Sequence, residues 1–426
     1  MMILAALLAA NSVYGQTEPL RRMAVLSDVH LMAPMLLKQE GKAFDDYIAD
    51  DRKLLQQSPE LLDSATACVM AYRPQVVLIT GDLSKDGERV SHEMLVERYL
   101  RPMEERGIRV FVIPGNHDVD NPHARVFDGA DAKRTTTVSA HDFATIYADY
   151  GYSEALSRDT ASLSYCVQLD PKTRLIAVDA CKYEENDYSK DLCVTGGRIK
   201  VSTMQWIQQQ VDQARANGME VMMMMHHGIV SHFNWQDKVM KDYLVDNWKK
   251  QAQTIAKMGI KVCFTGHFHA QDAASKYGLT DVETGSTVSY PHPFRLIDVD
   301  TDKGTLNIHT RRVAQLSSMK GSGESLQQKS ARFAYSALGS VMEGMMPAKV
   351  PNDVKQECGN ILGEAYALHL AGDEQPSEDF KSRLKTAAKH LGHYSWKWAF
   401  ILKKVGKYLS TDTGVSDNEL QINYKK

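Results

Sequence analysis

No apolar run in the 426-residue chain is longer than Met1–Ala10, and a membrane-spanning helix needs roughly 18 such residues. Cysteine is scarce. The six residues Cys68, Cys166, Cys181, Cys193, Cys263 and Cys358 include no C-x-x-C pair, which excludes zinc-ribbon and thioredoxin-like motifs. Neither sign of charge dominates: 50 Lys and Arg oppose 53 Asp and Glu, a formal −3. The chain therefore has no overall basic footprint, and stable nucleic-acid binding is not expected. Internal repeats and low-complexity tracts are missing as well. With 43% hydrophobic residues there is material for a large core, which excludes disordered, collagen-like and disulfide-scaffold classes. At about 150 residues per domain, the length suggests two to three domains.

Small and polar residues, Asn11-Ser12-Val13-Tyr14-Gly15, follow the first apolar run. This reads as a secretory signal over residues 1–15 and implies export to the periplasm or beyond the cell. No Lys or Arg precedes the run, and a short buried N-terminal helix is the competing reading. In an exported chain Cys181 and Cys193, which flank a polar loop, could form a disulfide. Cys68 and Cys263 lie inside apolar segments and are expected to be buried thiols.

From Arg22 to about residue 315, short apolar runs alternate with amphipathic stretches. The runs are Met23–Ser27, Val76–Thr80, Val110–Ile113, Leu175–Val178, Val221–Met225 and Val262–Thr265. Each is four to six residues long and bounded by turn residues, the pattern of buried strands. Helical spacing joins Leu61, Leu62, Ala65, Cys68, Val69 and Tyr72, and again Trp206, Ile207, Gln210, Val211 and Ala214. Alternation of this kind predicts an α/β domain. Phe294–Val299 and Thr305–Ile308, around Asp302-Lys303-Gly304, predict a hairpin. Residues 317–325 read as a joint, and beyond them the pattern is almost wholly helical, with breaks at Pro347, Pro351, Gly372, Pro376 and Gly392. The expected division is 1–15 signal, 16–315 catalytic domain and 316–426 helical domain. The last part carries 15 basic and 12 acidic residues, so a +3 tail follows a −6 body. Its Lys389–Leu409 stretch, with Trp396, Lys397, Trp398, Lys403, Lys404 and Lys407, invites a membrane-surface helix. Trp398, Leu402, Val405 and Leu409 at helical spacing favour packing on the catalytic domain instead.

The chemistry sits at the strand ends. Asp28 and His30 follow the first predicted strand, and Asp82 the second. Asn116, His117 and Asp118 follow the third. His226 and His227 close the Met-rich strand, and His267 and His269 follow the Cys263 strand. Ligands of open α/β sheets bind outside the carboxyl ends of strands. Of these ten residues, two aspartates, one asparagine and four histidines would already be too many for one tetrahedral ion. They suit two ions sharing a bridging carboxylate. Oxygen mixed with imidazole suits divalent Mn, Fe, Zn or similar ions. Two such ions about 3.5–4 Å apart can hold a hydroxide for in-line attack at phosphorus.

D-x-H, G-D, G-N-H-D, a strand-final His and G-H-x-H, in this order, resemble the calcineurin-like metallophosphoesterase superfamily. Gly-Asp-Leu-Ser-Lys-Asp-Gly-Glu, Gly-Asn-His-Asp-Val-Asp-Asn-Pro, Tyr-Gly-Tyr-Ser-Glu-Ala and His-His-Gly-Ile-Val-Ser-His are similar to a bacterial cyclic-nucleotide phosphodiesterase-like branch with a helical C-terminal domain. The resemblance implies a four-layer sandwich, two mixed β-sheets flanked by helices, with a dinuclear site at one end. By the same resemblance Asp28, His30 and His269 would hold one metal, Asn116, His226 and His267 the other, and Asp82 would bridge them. His117 would protonate the leaving oxygen, with Asp118 orienting its ring. His227 would stand behind the ligands or face substrate, and His123, His232 and His292 lie in loops that could reach it.

Lys85-Asp86-Gly87 and Asp118 stand where Ser/Thr protein phosphatases carry a V-D-R-G run and a Glu. Lys85 also replaces the tyrosine of purple acid phosphatases, and Gly228 the proline that follows the paired histidines in many cyclic-nucleotide branches. The expected activity is phosphodiester hydrolysis on small, cyclic nucleotides. Monoester or phospholipid-type diester hydrolysis, and a non-catalytic scaffold, are the alternatives.

Overall fold

Two β-sheets carry the fold, and the alternation along their strands shows how they face one another. In Glu220–Met225, Met222 and Met224 point into the core between the sheets, while Val221, Met223 and Met225 point the other way, toward helices Val201–Ala216 and Trp248–Lys257. Cys263 and its neighbours Val262 and Phe264 divide in the same manner. Strands buried on both faces read as continuous apolar runs, which is why the sequence shows them so clearly. The computed structural model describes residues 18–425 apart from Asp50, Arg52, Ser322 and Thr413. The expected signal at 1–15 lies outside the described residues.

The first sheet has six strands in the order Glu419–Asn423, Thr305–Arg312, Pro293–Asp300, Arg22–Leu26, Val76–Ile79 and Arg109–Val112. The last three are mutually parallel. The second has seven, in the order Asp272–Lys276, Leu279–Glu283, Val262–Thr265, Glu220–Met225, Thr173–Val178, Tyr165–Asp170 and Ser157–Arg158. Helix Ser58–Tyr72 covers the first sheet through Leu61, Leu62, Ala65 and Val69. The result is a helix–sheet–sheet–helix sandwich of four layers. Cys68, expected to be buried, is exposed; it falls at the margin of that helix's apolar stripe, one turn after half-exposed Ser64. The predicted hairpin forms, with Pro293–Asp300 antiparallel to Thr305–Arg312.

Helices Leu326–Met345, Asn352–Ala371, Glu378–Gly392 and Trp396–Leu409 follow, and the expected prolines and glycines fall at their ends. Ser325 and Gln328 form a reciprocal capping box, and the Ser377 and Ser395 side chains cap the last two helices. Leu402, Val405 and Leu409 pack with Leu362, Tyr366 and Leu384, and the same cluster takes in Phe233, Phe268 and Ala270 of the sandwich. The chain does not end in helix, however. Glu419–Asn423 returns as an edge strand of the first sheet, with Leu420 and Ile422 buried and their neighbours exposed. Five alternating residues are too few to stand out beside long helices, so a boundary at residue 316 does not describe this last segment.

Candidate metal centre

Five parallel strands, three of the first sheet and two of the second, end at one edge of the sandwich and hand their next residues to a common site. The backbone there is unusual. Asp28, His30, Asp82, His267 and His269 have φ of 49°, 37°, 48°, 75° and 68°, left-handed values that side chains adopt only at a cost of about 1–3 kcal/mol each. Cross-strand hydrogen bonds hold them: the Asp28 and His30 amides donate to the Gly81 and Asp82 carbonyls at 3.1 and 2.9 Å, and Gly266 N–H donates to His226 O at 3.0 Å. Gly115 is required by close approach, because a Cβ there would overlap the Asp82 carboxylate.

Asp28, His30, Asp82 and His269 offer ligand-type atoms within 4.8 Å of one another, as do Asp82, His226 and His267. Asp82 belongs to both groups. Its Oδ2 lies 3.5 Å from His30 Nε2 and 3.4 Å from His226 Nε2. Asn116 Oδ1 lies 3.1 Å from His226 Nε2, which joins it to the second group. All seven residues are buried. Their contacts are those of a donor set without enough protons. His30 Nε2 and His269 Nε2 face each other at 3.2 Å, and Asp28 Oδ1 has no hydrogen-bond partner. Burial holds the pKa of His30 and of His267 well below the ordinary value, leaving neutral rings with lone pairs. Burial opposes charge on His226 too, but Asp82 outweighs it and raises that pKa to about 9. Buried carboxylates and imidazoles that point lone pairs at one another fit divalent cations. The outer ring nitrogens are fixed by protein oxygens: His226 Nδ1 by Thr80 O at 2.8 Å, His267 Nε2 by Asp242 O at 3.1 Å and His269 Nδ1 by Ser289 Oγ at 3.0 Å.

His117 stands at the mouth of this site, its Nε2 4.0 Å from Asp82 Oδ2 and its backbone N–H donating to Asp82 Oδ1 at 2.9 Å. Its ring is not oriented by Asp118. Nδ1 lies 2.9 Å from both Asp86 Oδ1 and the Lys85 carbonyl. Asp118 accepts the amides of Leu83, Ser84 and Gly115 instead and ties two ligand loops together. The family resemblance made Asp118 the expected partner, whereas the turn at Asn116–Asp118 sends the two side chains to different neighbours. Asp86 is itself gripped by Tyr47 Oη at 2.6 Å and by the fully buried ammonium of Lys85, which also reaches Glu88 at 2.8 Å. Tyr47, Lys85 and Asp86 escaped the sequence reading. Its one signal was the Lys85-Asp86-Gly87 departure from related patterns.

The remaining expected residues scatter. His227 is buried against the His267 ring, 4.4 Å between centroids, with Nε2 on the Thr195 carbonyl. His232 lies nowhere near the surface; it is enclosed by Asp272, Asp281 and Glu283. His292 is buried as well, on the Thr287 carbonyl. His123 does line the cleft of about 520 Å³ above the site, with Lys53, His117, Thr195 and Tyr243. Cys181 and Cys193 are free thiols that donate to the Pro114 and Asn116 carbonyls.

Residues 21–271 match the Metallophos family, calcineurin-like phosphoesterase. That span is more than half of the chain, and the chain belongs to this family. The protein is therefore a metallophosphoesterase, a phosphoric ester hydrolase with a candidate dimetal site. No curated protein matches the sequence. Among solved structures it is similar to a dimetal phosphatase from Danio rerio, with TM-score 0.48 and 13% identity over 69% of this chain and 97% of that one. It is also similar to GAP50, the anchor in the inner membrane complex of Plasmodium, with TM-score 0.37 and 10% identity over 69% and 84%. A third is the phosphopantetheinyl hydrolase of Mycobacterium tuberculosis, with TM-score 0.30 and 11% identity over 63% and 90%.

Proposed function

We propose that the chain is a dinuclear-metal phosphodiesterase acting on small nucleotides, cyclic nucleotides foremost. The observation that carries this reading is Asp82, one carboxylate shared by two buried ligand groups with His117 beside it. Asp28, His30 and His269 would hold one divalent ion, Asn116, His226 and His267 the other, and Asp82 both. Bound there, the ions would neutralise phosphate charge and lower the pKa of water.

The protein's own contribution is orientation and a proton. Asp86 and the Lys85 carbonyl accept from His117 Nδ1–H, which turns Nε2 to the cleft, where it can donate to the leaving oxygen. Burial opposes a positive imidazole, but Asp82 and Asp86 outweigh it and raise the His117 pKa. The cyclic-nucleotide assignment is supported by the motif stretches around Asp82, Asn116 and His226, and the signal-like sequence pattern of residues 1–15 supports an exported enzyme.

The test has two parts. Metal content is measured after Mn²⁺ or Fe²⁺ loading. Then 2′,3′- and 3′,5′-cyclic nucleotides, dinucleotides, monoesters and glycerophosphodiesters are compared at equal concentration. Cyclic nucleotides as best substrates support the reading, and faster monoester or glycerophosphodiester turnover replaces it. A metal-free protein inert toward an aryl phosphodiester would identify a scaffold.

A further inference from the structure

Helices Glu378–Gly392 and Trp396–Leu409 share an outward face that the catalytic reading leaves unused. Between them lies a groove of about 330 Å³ floored by Phe380 and Leu384 and rimmed by Lys381, Lys385, Lys403 and Lys407. On the second helix Trp396, Phe400, Lys403 and Lys407 fall on one stripe at i, i+4, i+7 and i+11. Trp396 is 80% exposed and Phe400 48%. The opposite stripe, Leu402, Val405 and Leu409, is the buried one. On the first helix Lys381, Lys385 and Lys389 repeat at i+4 and are exposed.

The charge on this face is not neutralised from within. Residues 378–409 hold eight Lys and Arg against Glu378 and Asp379. Lys381 pairs with Glu378, and Arg383 with Asp379 and Glu364. Lys385, Lys389, Lys397, Lys403 and Lys407 form no ion pair among the described residues. Lysines four apart on a helix repel each other, so the face lacks its counter-charge. Unpaired lysines around an apolar groove, with Trp396 projecting beside them and half-exposed Phe400 resting against Trp235, match the interfacial zone of an anionic bilayer. A nucleic acid would use the charge but not the apolar floor. No helix among the described residues is long and apolar enough to cross a membrane, so the contact is peripheral.

We propose that this face docks the protein on anionic phospholipid surfaces, with Trp396 and Phe400 inserted at the headgroup level and the lysines over the lipid phosphates. The assignment is independent of the catalytic reading.

The experiment is flotation of the full chain with phosphatidylcholine vesicles, with and without phosphatidylglycerol. Binding is expected only to the anionic vesicles and is expected to weaken with salt. Each lysine near the surface contributes roughly fivefold to partitioning. A K385Q/K403Q/K407Q variant should therefore bind about a hundredfold more weakly, and Trp396→Ser with Phe400→Ser should also release the protein. These positions are exposed, and circular dichroism with thermal melting verifies that the variants remain folded. Absence of binding to anionic vesicles, or equal binding to neutral ones, overturns the proposal. So does vesicle binding indifferent to Trp396 and Phe400, which would mark a polyanion surface. A wild-type dimer that the two aromatic substitutions dissociate would assign the face to self-association instead.

Discussion

The Nδ1 of His117 lies 2.9 Å from the carboxylate of Asp86, four residues beyond Asp82 in the chain. The hydrogen bond fixes which nitrogen faces the cleft, and the carboxylate favours the charged ring. His117→Ala is expected to keep its metal and slow turnover by about 10²–10⁴-fold, most for poor leaving groups. Asp86→Asn should do the same more mildly. It should also move the high-pH limb of the rate profile downward, because the raised His117 pKa loses its neighbouring charge. Rate profiles of both variants check this, and an unchanged His117→Ala rate would sink the acid assignment.

Asp82 should behave differently from His117. Its carboxylate is the only one common to both ligand groups, so Asp82→Ala is expected to lose one or both ions. Elemental analysis of the loaded variant gives the answer directly. Two retained equivalents would contradict the shared position.

Phe268 separates His267 from His269 and lies in the core of the C-terminal helices, its ring 5.8 Å from Tyr366 and 5.5 Å from His369. Truncation to Ala should destabilise the protein by about 3–5 kcal/mol, and it should weaken metal retention because the ligand loop loses its anchor. Urea unfolding and chelator challenge measure the two effects. A stable Phe268→Ala protein with unchanged metal affinity would mean that the helices do not support the site.

Alkaline pH should loosen the junction between sandwich and helices. Burial opposes charge on His232, but Asp272, Asp281 and Glu283 outweigh it and hold its pKa well above the ordinary value. Its stabilising contribution is complete below about pH 6.5 and is lost as pH rises through the folded pKa. Asp417 is pushed up to about 8 by burial and by Asp272. Its folded state binds the proton more tightly, so stability falls from about pH 4 through about pH 8. The two trends have the same sign. Melting temperature should fall between about pH 6 and pH 9, less steeply in Asp417→Asn, and a rise over that interval would contradict both shifts.

Reading the sequence alone locates the buried strands and the candidate residues at their ends, and the reason is local. Buried parallel strands are short apolar runs, and ligands at their carboxyl ends follow within a few residues, so Asp28, Asp82, Asn116, His226 and His267 can be found one strand at a time. Tertiary structure decided what depends on partners distant in the chain. It gave His117 to Asp86 and not Asp118, buried Lys85 between two carboxylates, and enclosed His232 among three acids. It also seated Phe268 among the C-terminal helices and brought residues 419–423 back to the first sheet. None of these follows from residue type or period. Each is set by which surfaces meet when the two sheets and the C-terminal helices pack, and burial then fixes the charge each group can carry.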